Sequence, residues 1–494
     1  MTNKKKSILQ NFLSSDKQYP ITTAIAAGLY PMLFYYSNNF TLVNTWGHLA
    51  YFTTYFLLIP SVLFLLVNRV SKLKTFNKIQ KFVLPFLNVF TFLFLLKVCL
   101  YAGLHKKIIL GIFILSGLIA FFLFKYLKKI IIIQFILIFI GFLSLIPVLI
   151  KQVSHNEEWM LQPDAIENVV FKKKPNVYFI QPDGYVNFSE LNKGYYNIDT
   201  SNFENFLIDN NFTNYPSFRT NYATTLSSNS ATFSMKHHYY HNGSSVSELI
   251  NARKVIISKN PTLTIFKNNG YKTHFITEKP YLLLNRPKMG YKYCNFSYNE
   301  IDYLGTGLKA TKDILPSLKK ILNEKNEQSL FFFIEIFSPG HIANSKSNTK
   351  GRDIEKQKWI TSLEVANKKL TDVVSFIKQK DSTALIIIMA DHGGYVGLDY
   401  TGQIYNKTED RDLIYSMFSS QLSIHWPFGN PEFDTNFKTP INLFRYIFTY
   451  LSEDKTYLQN LEEDATYTII NEGAAQGIYK CINANGDIVF EKKT

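Results

Sequence analysis

Acidic side chains are almost missing from the first 151 residues, where Asp16 stands alone against 16 Lys and Arg. The rest of the chain carries 37 basic and 37 acidic residues, so the net charge of +15 belongs to the N-terminal third. This distribution argues against a nucleic-acid-binding surface on the remainder. Cysteine is scarce as well. Cys99, Cys294 and Cys481 are odd in number and one lies in an apolar run, so neither a disulfide framework nor a cysteine zinc site can be read from them. The basic start MTNKKKSILQNF is followed by a long apolar run without a small-residue cleavage pattern, so no cleavable signal peptide is expected.

What fills the first third is a series of long apolar runs, each near the roughly 20 residues needed to cross a bilayer. Five spans are expected, near Tyr19 to Ser37, Ala50 to Val67, Phe82 to Gly103, Ile108 to Phe124 and Ile130 to Ile150. Lys4, Lys5, Lys6 and Lys17 precede the first, Arg69, Lys72, Lys74, Lys78 and Lys81 follow the second, and Lys125, Lys128 and Lys129 follow the fourth. Because positive loops stay on the cytoplasmic side, the N-terminus is expected inside and everything after about residue 151 outside. Lys97, inside the third span, reads either as a side chain snorkelling to the interface or as a contact to a lipid phosphate. Trp159, in the polar stretch 152–174, reads as a head-group-level anchor.

From Pro175 onward the pattern changes to short apolar runs that end in small, acidic or histidine residues. NVYFIQ (176–181) leads into Pro182-Asp183-Gly184, LFFFIEIF (330–337) into Ser338-Pro339-Gly340-His341, and ALIIIMA (384–390) into Asp391-His392-Gly393-Gly394. Continuous apolar runs of this length suit strands buried on both faces of a mainly parallel sheet. Helices are expected between them, near 202–210 and 356–378, giving an α/β sandwich whose ligands gather at the carboxyl ends of the strands. Asn485-Gly486 marks a hairpin in a peripheral tail.

Asp183 alone could be a turn former or a helix cap. Asp391-His392, followed by two glycines at a strand end, is more specific: it offers a carboxylate and an imidazole to one cation. The stretch from Asn221 to Ser230 (NYATTLSSNS) is dense in hydroxyls and could be an ordinary polar loop. His237 and His238 read either as leaving-group or substrate contacts or as an exposed polar pair.

Taken together, Asp183 after the first strand, a Thr in a hydroxyl-rich stretch and the late Asp391-His392-Gly393 resemble the alkaline phosphatase and sulfatase superfamily. The nearest branch is that of the membrane-bound lipoteichoic acid synthases and phosphoethanolamine transferases. LTIFKNNGYKTHFI (263–276) and TPINLFR (439–445) extend the resemblance over roughly Pro175 to Ile469. It implies a transmembrane anchor of about five helices at 1–151, an interfacial connector at 152–174, a sulfatase-like catalytic domain at 175–472 and a hairpin tail at 473–494. Carried over residue by residue, it makes Thr225 the nucleophile, with Thr224 the alternative register. Asp183, Asp391, His392 and Thr225 become ligands of one divalent metal, Zn²⁺ or Mn²⁺ rather than Mg²⁺. His341 becomes a phosphate contact, because Phe337 replaces the Asp that a second metal needs. The formylglycine motif of sulfatases is missing near Thr225. The expected activity is therefore transfer of a phosphoethanolamine or phosphoglycerol head group from a phospholipid donor to an envelope glycan or lipid. A hydrolase of phosphate or sulfate esters and a non-catalytic envelope scaffold are the alternatives.

Overall fold

The computed structural model describes residues 7–101, 103, 105–242, 249–324 and 327–493, so Lys4, Lys5 and Lys6 lie outside the described residues. The chain forms two compact units, Met1–His155 with Asp302–Thr306, and Asn156–Ile301 with Gly307–Thr494.

The first unit is helical. A short helix α1 (Ile8–Ser14) precedes α2 (Pro20–Val43), α3 (Trp46–Ser71), α4 (Gln80–Leu100), α5 (Lys106–Leu123) and α6 (Leu127–Ser154). Three helical stretches, Trp46–Ser71, Gln80–Leu100 and Lys106–Ser154, are long and apolar enough to cross a membrane. The last has 49 residues, far more than one crossing requires, and the 3₁₀ turn Phe124–Tyr126 breaks it into α5 and α6. α2 is the inner helix, burying Thr23, Ala24, Ala26, Ala27 and Gly28.

Contacts fix the directions of these helices. Tyr35 of α2 packs on Phe52 of α3 and Ala24 clusters with Phe64, so α2 and α3 are antiparallel. Asn88 donates to the Thr23 carbonyl at 2.9 Å and Cys99 to that of Pro31, so α4 runs with α2. Phe82 meets Phe121 and Phe90 meets Phe113, which makes α5 antiparallel to α4. Asn88 and Gln134 of α6 exchange side-chain amide bonds of 2.8 and 3.0 Å, satisfying polar groups inside an apolar bundle. Lys97 is buried, and its ammonium reaches past the end of α4 to donate to the Gly103 carbonyl, the direction a side chain snorkelling to the interface takes.

The second unit is built on a seven-stranded sheet in the order β2-β7-β6-β1-β5-β3-β4. Its strands are β1 (Val177–Pro182), β2 (Thr213–Asn214), β3 (Lys272–Thr277), β4 (Tyr293–Cys294), β5 (Leu330–Ile336), β6 (Leu385–Met389) and β7 (Leu422–His425). β4, β3, β5, β1 and β6 are mutually parallel, and β7 joins antiparallel to β6 and β2. Every residue of β1, β5 and β6 is buried, as their continuous apolar runs require. Helices α7 (Ser201–Asp209), α8 (Thr225–Ser234), α9 (Pro261–Asn268), α10 (Arg352–Lys380) and α11 (Leu443–Ser452) connect and cover the strands. The architecture expected from the sequence, a helical bundle followed by a mainly parallel α/β domain, is the one found.

Two details differ from expectation. Residues 156–174 belong to the second unit: buried Arg445 of α11 holds Asp164 at 2.6 Å and Gln162 at 2.8 Å. The C-terminal hairpin, β9 (Gly477–Ile482) with β10 (Ile488–Lys492), is also not peripheral. β9 pairs with β8 (Thr466–Ile470) in a second sheet, and Tyr479, Cys481 and Ile482 are buried in the main core.

Candidate active site

Asp183, His341 and the Asp391-His392 pair emerge from the carboxyl ends of three adjacent strands, β1, β5 and β6. The loops interlock through the main chain. The Asp183 amide donates to Ile336 at 2.8 Å, and the Gly340 amide donates to the Asp183 carbonyl at 2.7 Å. Trp359 of α10 donates to the Gly340 carbonyl at 2.9 Å and pins the loop after β5 from behind. Gly184 has φ +66°, and a Cβ there would lie 2.2 Å from the Gly340 oxygen, so only glycine permits this approach. At Gly393 a Cβ would lie 2.1 Å from the Ser416 oxygen.

Asp391 is fully buried. Its Oδ1 accepts the amides of Gly184 at 3.1 Å and His392 at 3.0 Å, which fixes the carboxylate and leaves Oδ2 without a protein partner. Asp183 Oδ1 is likewise buried without a hydrogen-bond partner. The His392 Nδ1 faces the Gly393 carbonyl at 2.8 Å, and since a carbonyl can only accept, Nδ1 carries the proton and Nε2 presents its lone pair. That Nε2 lies 3.3 Å from Asp183 Oδ1 and 3.4 Å from Asp391 Oδ2. One ligand atom from each of the three residues falls within 4.8 Å of the others. Two orphaned carboxylate oxygens and an imidazole lone pair turned together are costly unless a cation joins them, so these residues fit a divalent metal. Burial, and next the neighbouring Asp391 carboxylate, push the Asp183 carboxyl above the usual carboxylate range, against the pull of His392, His341 and Lys279.

Thr225 opens α8, and its Oγ1 lies 3.3 Å from His392 Nε2. The amides of the first helical turn lack intrahelical acceptors and place partial positive charge at this end. The neighbouring Thr224 hydroxyl instead donates to Ser227 Oγ at 3.1 Å, so of the two registers it is Thr225 whose oxygen joins the cluster. The helix is tied to the sheet by reciprocal amide bonds between Gln181 of β1 and Asn229 of α8, 2.7 and 2.8 Å. Tyr395 donates to the Ala223 carbonyl and stacks its ring on His392 at 5.0 Å, bracing the segment before Thr225 and the imidazole at once.

The cluster opens into a cavity of about 590 Å³ whose walls include Lys279, Tyr281, Phe337, His341 and Tyr395. His341 is exposed there, its ring 6.0 Å from that of His392, with Nδ1 directed to its neighbour's carbonyl at 2.8 Å. Phe337 lines the wall, and the Lys279 ammonium sits 5.5 Å from its ring centre. Sequence reasoning missed Lys279 and Tyr395. The signal for Lys279 was available, since it follows β3 by two residues at the same sheet edge that carries the other site residues.

His237 and His238 are not among the cavity-lining residues. Both are buried behind α8 rather than forming an exposed pair. His237 lies between the Tyr222 hydroxyl (3.1 Å) and the Glu463 carbonyl (2.8 Å), and His238 Nε2 faces the Ser227 carbonyl at 3.0 Å. Burial pushes them down to about 4 and about 3, so both are neutral braces at physiological pH. Trp159 packs edge-on against His238 and His241.

No protein-family model matches the chain, and no curated protein matches it in sequence. Among solved structures it is similar to a full-length membrane protein, the lipooligosaccharide phosphoethanolamine transferase A (EptA) of Neisseria meningitidis. That match has 12% identity and a TM-score of 0.41, covering 87% of this chain and 95% of that one. It is also similar to the lipoteichoic acid synthase LtaP of Listeria monocytogenes, with 13% identity, a TM-score of 0.42, and 66% and 90% of the two chains covered. A third is the C-terminal periplasmic domain of phosphoethanolamine transferase EptC from Campylobacter jejuni, with 13% identity, a TM-score of 0.39, and 59% and 94% covered. These are proteins of the branch that the motifs around Asp183, Thr225 and Asp391 resemble.

Proposed function

We propose that this chain is a membrane-anchored, metal-dependent phosphotransferase that moves a phospholipid head group, phosphoethanolamine or phosphoglycerol, onto an envelope glycan or lipid through a phosphorylated Thr225. The observation that carries the reading is a hydroxyl at a helix N-terminus, 3.3 Å from an imidazole lone pair in a cluster of orphaned carboxylate oxygens. Five membrane crossings, an internal N-terminus and an extracytoplasmic catalytic domain complete the proposal, supported by the alternating helix directions and the lysine-rich turns.

Asp183, Asp391, His392 and Thr225 would hold one divalent cation, zinc or manganese by the donor set, which would supply Lewis acidity for ionising the Thr225 hydroxyl and positive charge against the phosphoryl group. Thr225 Oγ1 attacks phosphorus, and the bond from phosphorus to the diacylglycerol oxygen breaks. The diacylglycerol leaves with a proton, and the head-group phosphate remains on Thr225. An acceptor hydroxyl then attacks the same phosphorus from the cavity, releases Thr225 and completes transfer. Lys279 places positive charge beside the phosphoryl oxygens, and His341 faces them from the same cavity wall. The Gly393 carbonyl keeps His392 in its ligating tautomer, and Asp391 fixes the residue's position by accepting its main-chain amide.

The reading is tested by incubating the full chain with phospholipid labelled in its head group, with and without a glycan acceptor. It requires label on the acceptor and diacylglycerol as the second product. Release of a free labelled head group alone, unaffected by the acceptor, would assign a hydrolase instead.

A further inference from the structure

The lysines at one end of the helical unit converge on a second cavity. About 520 Å³ in volume, it lies between the segment before α2, the start of α4, the 124–126 turn and the start of α6. Lys17, Lys81, Lys125 and Lys128 line it, with Asp16 as the single acid. Among the described residues none of the four is paired with a carboxylate. Two of the ammonium groups are held by aromatic faces, one from the start of α4 and one from the start of α6. Lys81 stands 4.9 and 5.0 Å from the ring centres of Phe82 and Phe124. Lys128 stands 5.5 and 5.8 Å from those of Phe12 and Tyr19, and also donates to the Ser15 carbonyl. Four fixed or rim cations against one acid leave a pocket with net charge +3, complementary to a phosphate.

The inner wall is apolar, with Leu84, Leu127 and Ile131. Phe12 is shared with a neighbouring groove of about 600 Å³, lined by Ile132, Phe135, Ile136 and Phe139 along the same face of α6. A lysine-lined head site followed by an apolar trough matches the two halves of a phospholipid. A free phosphate would use only the first half.

We infer that this end of the bundle is a binding site for an anionic glycerophospholipid, its phosphate between Lys81 and Lys128 and an acyl chain along the Ile132 to Phe139 face. The site is separate from the catalytic cluster and does not depend on the chemistry assigned there. Each lysine near the head group is worth about fivefold in affinity.

The test is native mass spectrometry of the full chain in detergent, titrated in turn with phosphatidylglycerol, phosphatidylcholine and glycerol 3-phosphate. The wild type is expected to retain one phosphatidylglycerol at least about tenfold more tightly than phosphatidylcholine, and to bind glycerol 3-phosphate far more weakly than either. The double variant Lys81→Gln, Lys128→Gln is expected to lose about 25-fold for phosphatidylglycerol only. Among the described residues the Lys81 ammonium makes no hydrogen bond, so Lys81→Gln alone leaves the packing intact and is expected to lose about fivefold if the double variant does not fold. Lys72→Gln with Lys74→Gln, outside the cavity, should change nothing. Equal retention of the two lipids, equal losses in both double variants, or glycerol 3-phosphate bound as tightly as the lipid would each overturn the inference.

Discussion

At the scale of single residues, the account turns on which hydroxyl reacts. Thr225→Ala is expected to reduce head-group turnover by at least about a thousandfold, because no other hydroxyl lies 3.3 Å from His392 Nε2 among the described residues. Thr224→Ala, whose hydroxyl is engaged by Ser227, should stay within about threefold of wild type in the same assay. Asp391→Asn replaces the orphaned Oδ2 or its partner with a donor and should weaken metal retention at least about tenfold, measured by metal analysis after dialysis. The ligand types and their strand-end positions were legible in the sequence, since Asp183 and Asp391-His392 each follow a continuous apolar run. The choice between Thr224 and Thr225 was not. Both stand at the start of one helix, and only packing against β1 decides which oxygen turns to the imidazole.

At the scale of elements, three strand-end loops and one helix N-terminus must meet within a few ångströms. Gly184 is the tightest point, and Gly184→Ala should destabilise the second unit by about 3 kcal/mol, from the 2.2 Å approach to Gly340 and the positive φ together. Thermal unfolding monitored by circular dichroism would register it. The segment behind α8 leads to a pH prediction. His237 and His238 have folded pKa values of about 4 and about 3, against about 6.5 when unfolded. The unfolded chain therefore binds more protons below pH 6.5, so the stabilisation is complete above that value and is lost as pH falls towards 4. The loss should approach 1.4 kcal/mol per pH unit for each ring, about half of which His238→Gln should remove in denaturant titrations. From sequence this pair reads first as an exposed polar pair and second as substrate contacts. Two polar side chains in an aromatic-rich stretch carry no signal of burial until the partners Tyr222, Ser227 and Glu463 are brought from elsewhere in the chain.

At the scale of the whole molecule, the asymmetry of charge already separated an apolar, basic third from a neutral remainder, and the two compact units divide at His155, close to that boundary. The order of strands around β1 was beyond reach, because contacts between residues 150 or more apart leave no local pattern. The role of the hairpin tail was hidden for the same reason: β9 finds β8 only in the folded chain. The central claim is that the transferred group passes through Thr225. Its most direct test is mass spectrometry of the peptide containing Thr225, after brief exposure of the full chain to membrane lipid without acceptor and rapid acid quenching. The account predicts a mass increase equal to phosphoethanolamine or phosphoglycerol on Thr225, lost when acceptor is added. An unmodified Thr225 in a preparation that still transfers the head group would contradict it.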